Sequence, residues 1–230
     1  MSAPFRSSKI IAICGIDGSG KTSLVRRLRE SSLLGGASFV KKEQKENFER
    51  VLRLAPPTNS MPDAYLRGVF AHASRWAHAL DFLRYYEQIV QPLERQHVPL
   101  IVSDRWAFCT ITFADIGIDL KDEIEYLLRN VPRPDLTIHL DVPPHTAMTR
   151  LLARGALAHD ESLELLTEYR NAYERYFEHY NAPLVTIPSM SEDETFKRTI
   201  DALHRYGLVS PVEECDKDRL GFSVAPQELI

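Results

Sequence analysis

The 230-residue chain holds only three cysteines, Cys14, Cys109 and Cys215, far apart and with neither a CxxC pair nor histidine-rich company. That scarcity excludes a disulfide framework and a zinc site, and it suits a reducing compartment. No apolar run approaches the ~20 residues that a membrane-spanning helix needs. The opening Met1-Ser2-Ala3-Pro4-Phe5-Arg6 is too short and polar for a secretory signal, so the expected location is the cytoplasm and no membrane partner is expected. Surplus positive charge is missing too: 28 Lys+Arg stand against 32 Asp+Glu, a formal net charge of −4. Without a global basic field nothing advertises nucleic acid as a partner, and any anion site has to be local. Internal repeats and low-complexity segments are also lacking.

What is present, 44% hydrophobic and 26% charged residues, is enough to bury a sizeable core as one α/β domain. The most specific stretch is residues 9–27. Lys9-Ile10-Ile11-Ala12-Ile13-Cys14 reads as a strand, Gly15-Ile16-Asp17-Gly18-Ser19-Gly20-Lys21-Thr22 fits GxxxxGK[ST], and Ser23-Leu24-Val25-Arg26-Arg27 continues as a helix. Glycines at 15, 18 and 20 let backbone N–H groups converge on phosphate oxygens, and the helix adds its positive N-terminal end. Gly15, Asp17, Gly18, Ser19, Gly20, Lys21, Thr22 and Ser23 are therefore the expected phosphate-binding residues. Lys21 would reach the β/γ-phosphates and the Thr22 hydroxyl would serve Mg²⁺. The plainer alternative is a glycine-rich turn without a ligand.

Four further apolar segments suit a parallel sheet: Ser38 to Val40, Pro99 to Ser103, Leu136 to Leu140 and Leu184 to Ile187. With helical stretches between them, the expected fold is a three-layer α/β structure, a five-stranded parallel sheet flanked by helices, with ligands at the carboxyl ends of the strands. The lysines of Lys41-Lys42-Glu43 could face phosphate, but the plainer reading is a solvated charge cluster opening a helix. After a break at Pro56 to Ser60, Pro62 to Gln91 reads as one long helix stopped by Pro92. Its aromatics read as core, but Arg75 in so apolar a setting needs a partner.

Leu100-Ile101-Val102-Ser103-Asp104 delivers a carboxylate to the sheet's carboxyl edge, followed by Arg105. Asp104 there can hold Mg²⁺ directly or through water, and Arg105 can clamp a second phosphate. An internal Asp–Arg ion pair is the alternative. His139, within a strand and without a second ligand at metal spacing, reads as structural. Arg150 and Arg154 share one helix face. Beyond them, residues to about 164 fit either a flap closing over a triphosphate or an ordinary helix turn. Residues 1–207 thus form one domain with a flap around 150–164, and 208–230 a tail that either lacks order or packs on a partner subunit.

Taken together, these motifs resemble the thymidylate kinase family of nucleoside monophosphate kinases over roughly residues 8–206. The resemblance is carried by Gly15 to Thr22, Phe70-Ala71-His72-Ala73-Ser74-Arg75-Trp76, Asp104-Arg105-Trp106-Ala107-Phe108, Pro134 to Pro144 and Arg154-Gly155-Ala156-Leu157. It implies ATP as donor, Mg²⁺, a small-molecule nucleotide acceptor with thymidylate as the default, and a homodimer. It also implies that Asp17 reaches the acceptor's sugar hydroxyl, Arg105 holds its phosphate, Arg75 its base, and Arg154 the adenine of ATP. Lys21, Arg105, Arg154 and Asp17 are then the expected catalytic set. Phe70 and Thr110 join the acceptor site, and Arg150 joins the ATP site.

The chain departs from the family at Ala71, where a base-stacking aromatic is expected, and at Thr110 and Ala114. Gly18 and the His159-Asp160-Glu161 stretch lack the family's catalytic arginine, which leaves Arg150, Arg154, His159 or Lys42 to compensate. These departures keep open a kinase for a modified nucleoside or nucleotide, and a nucleotide-binding regulatory module.

Overall fold

The β-branched run Lys9–Cys14 forms strand β1, buried at every residue except Lys9. It is the middle of a five-stranded, all-parallel sheet with the order β2-β3-β1-β4-β5. The other strands are Ala37–Lys41 (β2), Leu100–Asp104 (β3), Leu136–Asp141 (β4) and Leu184–Pro188 (β5). The structure is a computed structural model, and it describes residues 8–42, 45–54, 64–155 and 161–209. The break at Pro56 to Ser60, the centre of the flap with His159, the tail beyond Val209 and Cys215 lie outside the described residues.

Side chains alternate across a strand, and β1 shows what that does here. Ile10, Ala12 and Cys14 enter one apolar cluster while Ile11 and Ile13 enter another. The first is covered by helices α3 (Ala64–Tyr85), α5 (Ala107–Ala114), α6 (Lys121–Leu127) and α8 (Leu163–Glu178). Helices α1 (Lys21–Glu30) and α9 (Glu192–Arg205) cover the second, which gives three layers. Ser191 and Glu194 start α9 with reciprocal capping bonds, and Ser162 accepts the N–H of Leu165 to start α8.

Pro92 does not stop the long helix, contrary to the sequence reading. Residues Tyr86–Val90 form a wide π-turn in which the N–H of Gln91 reaches the carbonyl of Tyr86, and helix α4 (Gln91–Arg95) continues with Pro92 in its first turn. A proline is tolerated there because first-turn N–H groups have no partner within the helix. Helix α2 (Glu46–Leu54) is fastened to α3 by Asp81, whose fully buried carboxylate accepts the backbone N–H groups of Asn47 and Phe48, both at 3.0 Å. Helix α7 (Pro144–Arg154) runs on from β4.

Candidate active site

The loop after β1 is shaped by two close approaches. A Cβ on Gly15 would lie 2.5 Å from the Leu140 carbonyl, and one on Gly18 would lie 2.6 Å from that of Ala147 on α7. Both have positive φ, +140° and +78°, so only glycine suits either place. Lys21 Nζ folds back over the loop and donates to the carbonyls of Gly15 and Ile16 at 2.9 and 2.8 Å. Burial and the charge of Arg105 lower its proton affinity.

The loop opens into a cleft of about 960 Å³ at the carboxyl edge of the sheet. Asp17 through Ser23, Asp104, Arg105, Arg150 and Arg154 all line it. Arg105 pairs with Asp17 across the cleft, not with Asp104. Although burial opposes ionisation of Asp17, the charges of Arg105 and Lys21 hold its carboxyl at about 2. Arg105 likewise keeps its charge: burial disfavours it, but Asp17 outweighs burial.

The Arg105 backbone is left-handed (φ +78°), rare for a residue with a side chain. Its N–H donates to Ile13 O at 2.9 Å. Its carbonyl accepts the hydroxyl of buried Ser103 at 2.7 Å, and Ser103 Oγ lies 2.8 Å from the hydroxyl of Tyr85 on α3. Asp104 is 3% exposed and its Oδ1 has no hydrogen-bond partner among the described residues. A buried oxygen of that kind, on a residue that lines one cleft with the exposed Thr22, fits a hydrated cation.

On the acceptor side the structure rearranges the expected cast. Arg75 stacks its guanidinium 3.8 Å over Phe113 of α5, donates to Ile116 O at 3.0 Å, and leaves a buried Nε without a hydrogen-bond partner among the described residues. Phe113 in turn stacks on Tyr169. Phe70, five residues before Arg75 and so about 140° round the helix, does not line the cleft, and neither do Arg75 and Thr110. Thr110 is buried on α5. No sequence signal joins Arg75 to Phe113; the packing of α3 on α5 does.

Lys42 requires a correction. It is not a solvated charge but 8% exposed, and it lines the cleft under the roof of α3. Arg27, Met190, Ser191 and Thr195, which line the cleft as well, were also missed. The signal that could have found the last three is that β5, like β1, ends at the carboxyl edge. Arg150 donates to Gly18 O and Ser189 Oγ, both at 3.3 Å, and Arg154 pairs with buried Glu161 at 2.6 Å. His139 is structural as expected: it packs between Tyr173 and Phe177, and burial lowers its pKa to about 4.

A glycine-rich loop with its lysine, at the end of the central strand of a 2-3-1-4-5 parallel sheet and sharing a cleft with an Asp–Arg pair, defines a P-loop nucleotide kinase. The family model for thymidylate kinase matches residues 13–200, and this chain belongs to that family. A Metallosphaera sedula protein named "Probable thymidylate kinase" is 32% identical over 182 residues, 78% of this chain and 85% of its own. The thymidylate kinase of Xanthomonas oryzae pv. oryzae is 32% identical over 172 residues, 71% of this chain and 70% of its own. The solved thymidylate kinase of Candida albicans shares the fold with a TM-score of 0.63, over 87% of this chain and 92% of that one, at 15% identity. Among the described residues no helix is long and apolar enough to cross a membrane.

Proposed function

We propose that the chain transfers the γ-phosphoryl group of ATP, with Mg²⁺, to a pyrimidine nucleoside monophosphate, thymidylate foremost. An oxygen of the acceptor's phosphate attacks the γ-phosphorus, the bond to the β–γ bridging oxygen breaks, and ADP and a nucleoside diphosphate leave. The observation that carries this reading is one cleft holding two sets of cations: Lys21 on its loop, and Arg105 with Lys42. Two phosphorylated molecules brought together need two such sets, because phosphoryl transfer depends on positioning and charge neutralisation.

In this reading residues 15 and 17–23 cradle the phosphates of ATP, and Lys21 follows the moving group. Thr22 and Asp104 would hold Mg²⁺, which when bound neutralises charge on the β- and γ-phosphates. Arg105 and Lys42 take the acceptor's phosphate, Asp17 its sugar hydroxyl, and Arg75, backed by Phe113, a carbonyl of its base, with Phe70 and Thr110 as further acceptor-site residues. Arg150 and Arg154 flank the adenine end. Arg154, inside the stretch 150–164 expected as a flap, pairs with Glu161. The exposed Val69, Trp76 and Leu80 on one face of α3 suit a homodimer contact, and the expected location is the cytoplasm.

Ala71, half-buried where a base-stacking ring is expected, favours a second reading in which the acceptor is a modified nucleoside or nucleotide. An ADP-release assay with Mg-ATP against thymidine monophosphate and a panel of nucleosides and nucleotides tests both. Fast turnover on thymidine monophosphate is expected. Turnover only on a modified acceptor would select the second reading, and ATP binding without acceptor-dependent turnover would refute both and leave a regulatory module.

A further inference from the structure

Lys41 is in register with Asp104, so the next residue of each strand, Lys42 and Arg105, reaches the same edge of the sheet. Lys42 Nζ lies 3.3 and 3.2 Å from Nδ1 and Nε2 of His78 and donates to the His78 carbonyl at 3.1 Å. No carboxylate among the described residues forms an ion pair with it. The nearest acid on α3, Asp81, already accepts the N–H groups of Asn47 and Phe48 and the side-chain amide of Asn47. His78 is wedged between Phe48 and Phe113, with ring centres 5.6 and 5.0 Å away, so its imidazole cannot swing aside. Among the described residues this buried ammonium is held by the His78 ring and carbonyl and by the face of Phe82, 6.0 Å away, and is poorly compensated. It must either meet an anion or lose its proton.

We propose that His78 is a positioning residue that keeps Lys42 beside Arg105 as a second, proton-gated cation, so that the anionic acceptor binds together with a proton from solvent. The proposal rests on the reading above that the acceptor's phosphate lies at Arg105. Burial lowers the proton affinity of Lys42 to about 7, with Asp81 opposing and Arg105 and Lys45 assisting, while the Cys109 thiol faces it from α5. Burial, and then Lys42 itself, keep the imidazole neutral at physiological pH, so the ring is an acceptor for the ammonium and not a competing charge. The arriving phosphate, already dianionic well above pH 6, supplies the missing counter-charge. The proton taken from buffer ends on Lys42 Nζ.

The test is calorimetric titration of thymidine monophosphate into the full chain in two pH 8 buffers of different ionisation heat. Uptake approaching ~0.9 proton per nucleotide is expected, with affinity falling about fivefold from pH 7 to 8 and about ninefold from pH 8 to 9. In K42R, whose guanidinium does not titrate, binding persists, uptake vanishes and the profile flattens. In H78F, which removes the ring nitrogens, affinity at pH 8 falls about tenfold or more and recovers toward pH 6. H78Q, with an amide oxygen to accept from Lys42, restores much of the loss. Equal proton uptake by the parent chain and K42R, or an unchanged affinity profile in H78F, would overturn the proposal. Absence of thymidine monophosphate binding in both the parent chain and K42R would instead bring down the reading on which it rests.

Discussion

The relay from Tyr85 through Ser103 to Arg105 can be taken apart with two substitutions. Ser103 has a single proton, and it goes to the Arg105 carbonyl at 2.7 Å. The 2.8 Å contact with Tyr85 must therefore have the phenol as donor, which agrees with a phenol kept protonated by burial. Ser103→Ala deletes two hydrogen bonds and strands the Tyr85 hydroxyl in a fully buried place. At about 1 kcal/mol for a bond and 1–3 kcal/mol for a stranded donor, the loss should be about 3 kcal/mol, roughly 10 °C of Tm for a domain this size.

Tyr85→Phe should cost about 1 kcal/mol, because Ser103 still holds Arg105. The double variant should then be about 1 kcal/mol more stable than Ser103→Ala alone, since the stranded donor is gone. Denaturant unfolding of all four proteins measures the cycle. The same loss releases one of two bonds holding Arg105 in its left-handed backbone, so acceptor KM should rise about fivefold in Ser103→Ala while ATP KM stays put. Strictly additive stabilities, or an ATP KM that rises as much as that of the acceptor, would refute the reasoning.

Other substitutions probe the loop and the core. Lys21→Ala should lower kcat at least a hundredfold, about 2.7 kcal/mol of barrier, in a steady-state assay with saturating ATP and acceptor. Gly18→Ala should destabilise by more than about 2 kcal/mol, read by thermal unfolding, because the new Cβ meets the Ala147 carbonyl at 2.6 Å in a positive-φ backbone. His139 has its pKa lowered to about 4 by burial, so between pH 6.5 and 4 the unfolded chain binds the extra proton and stability falls as pH falls. The total is about 3 kcal/mol across that window, and urea unfolding at several pH values should show a shallower fall in His139→Phe.

The strands and the phosphate loop were legible because they are local. Five β-rich runs and a glycine spacing carry their own physics, and each strand lies within a residue or two of where its apolar run placed it. Lys42 was misread for the opposite reason. Within Lys41-Lys42-Glu43 it looks like any solvated charge, and only β2 beneath it and α3 above it, 36 residues away at His78, turn it inward. Pro92 misled because a π-turn absorbs what a regular helix would not. The Arg75–Phe113 stack joins residues 38 apart, and the Arg105–Asp17 pair residues 88 apart, with nothing in either stretch naming the other. What sequence pattern yields is the scaffold and the loop; what it withholds is which charges the scaffold buries together.

The sheet order also governs how the chain is made. β1 occupies the middle of the sheet, yet its neighbours are Leu100–Asp104 on one side and Leu136–Asp141 on the other. The ribosome therefore delivers Ile10-Ile11-Ala12-Ile13-Cys14 roughly 90 residues before the first strand that can pair with it. At about 5–20 residues per second that is on the order of 5–20 s, with both edges of a strongly apolar strand open. The segment that later carries the phosphate loop is thus the one most in need of shelter during synthesis, and a nascent chain stalled before Leu100 should be the form that chaperones hold longest.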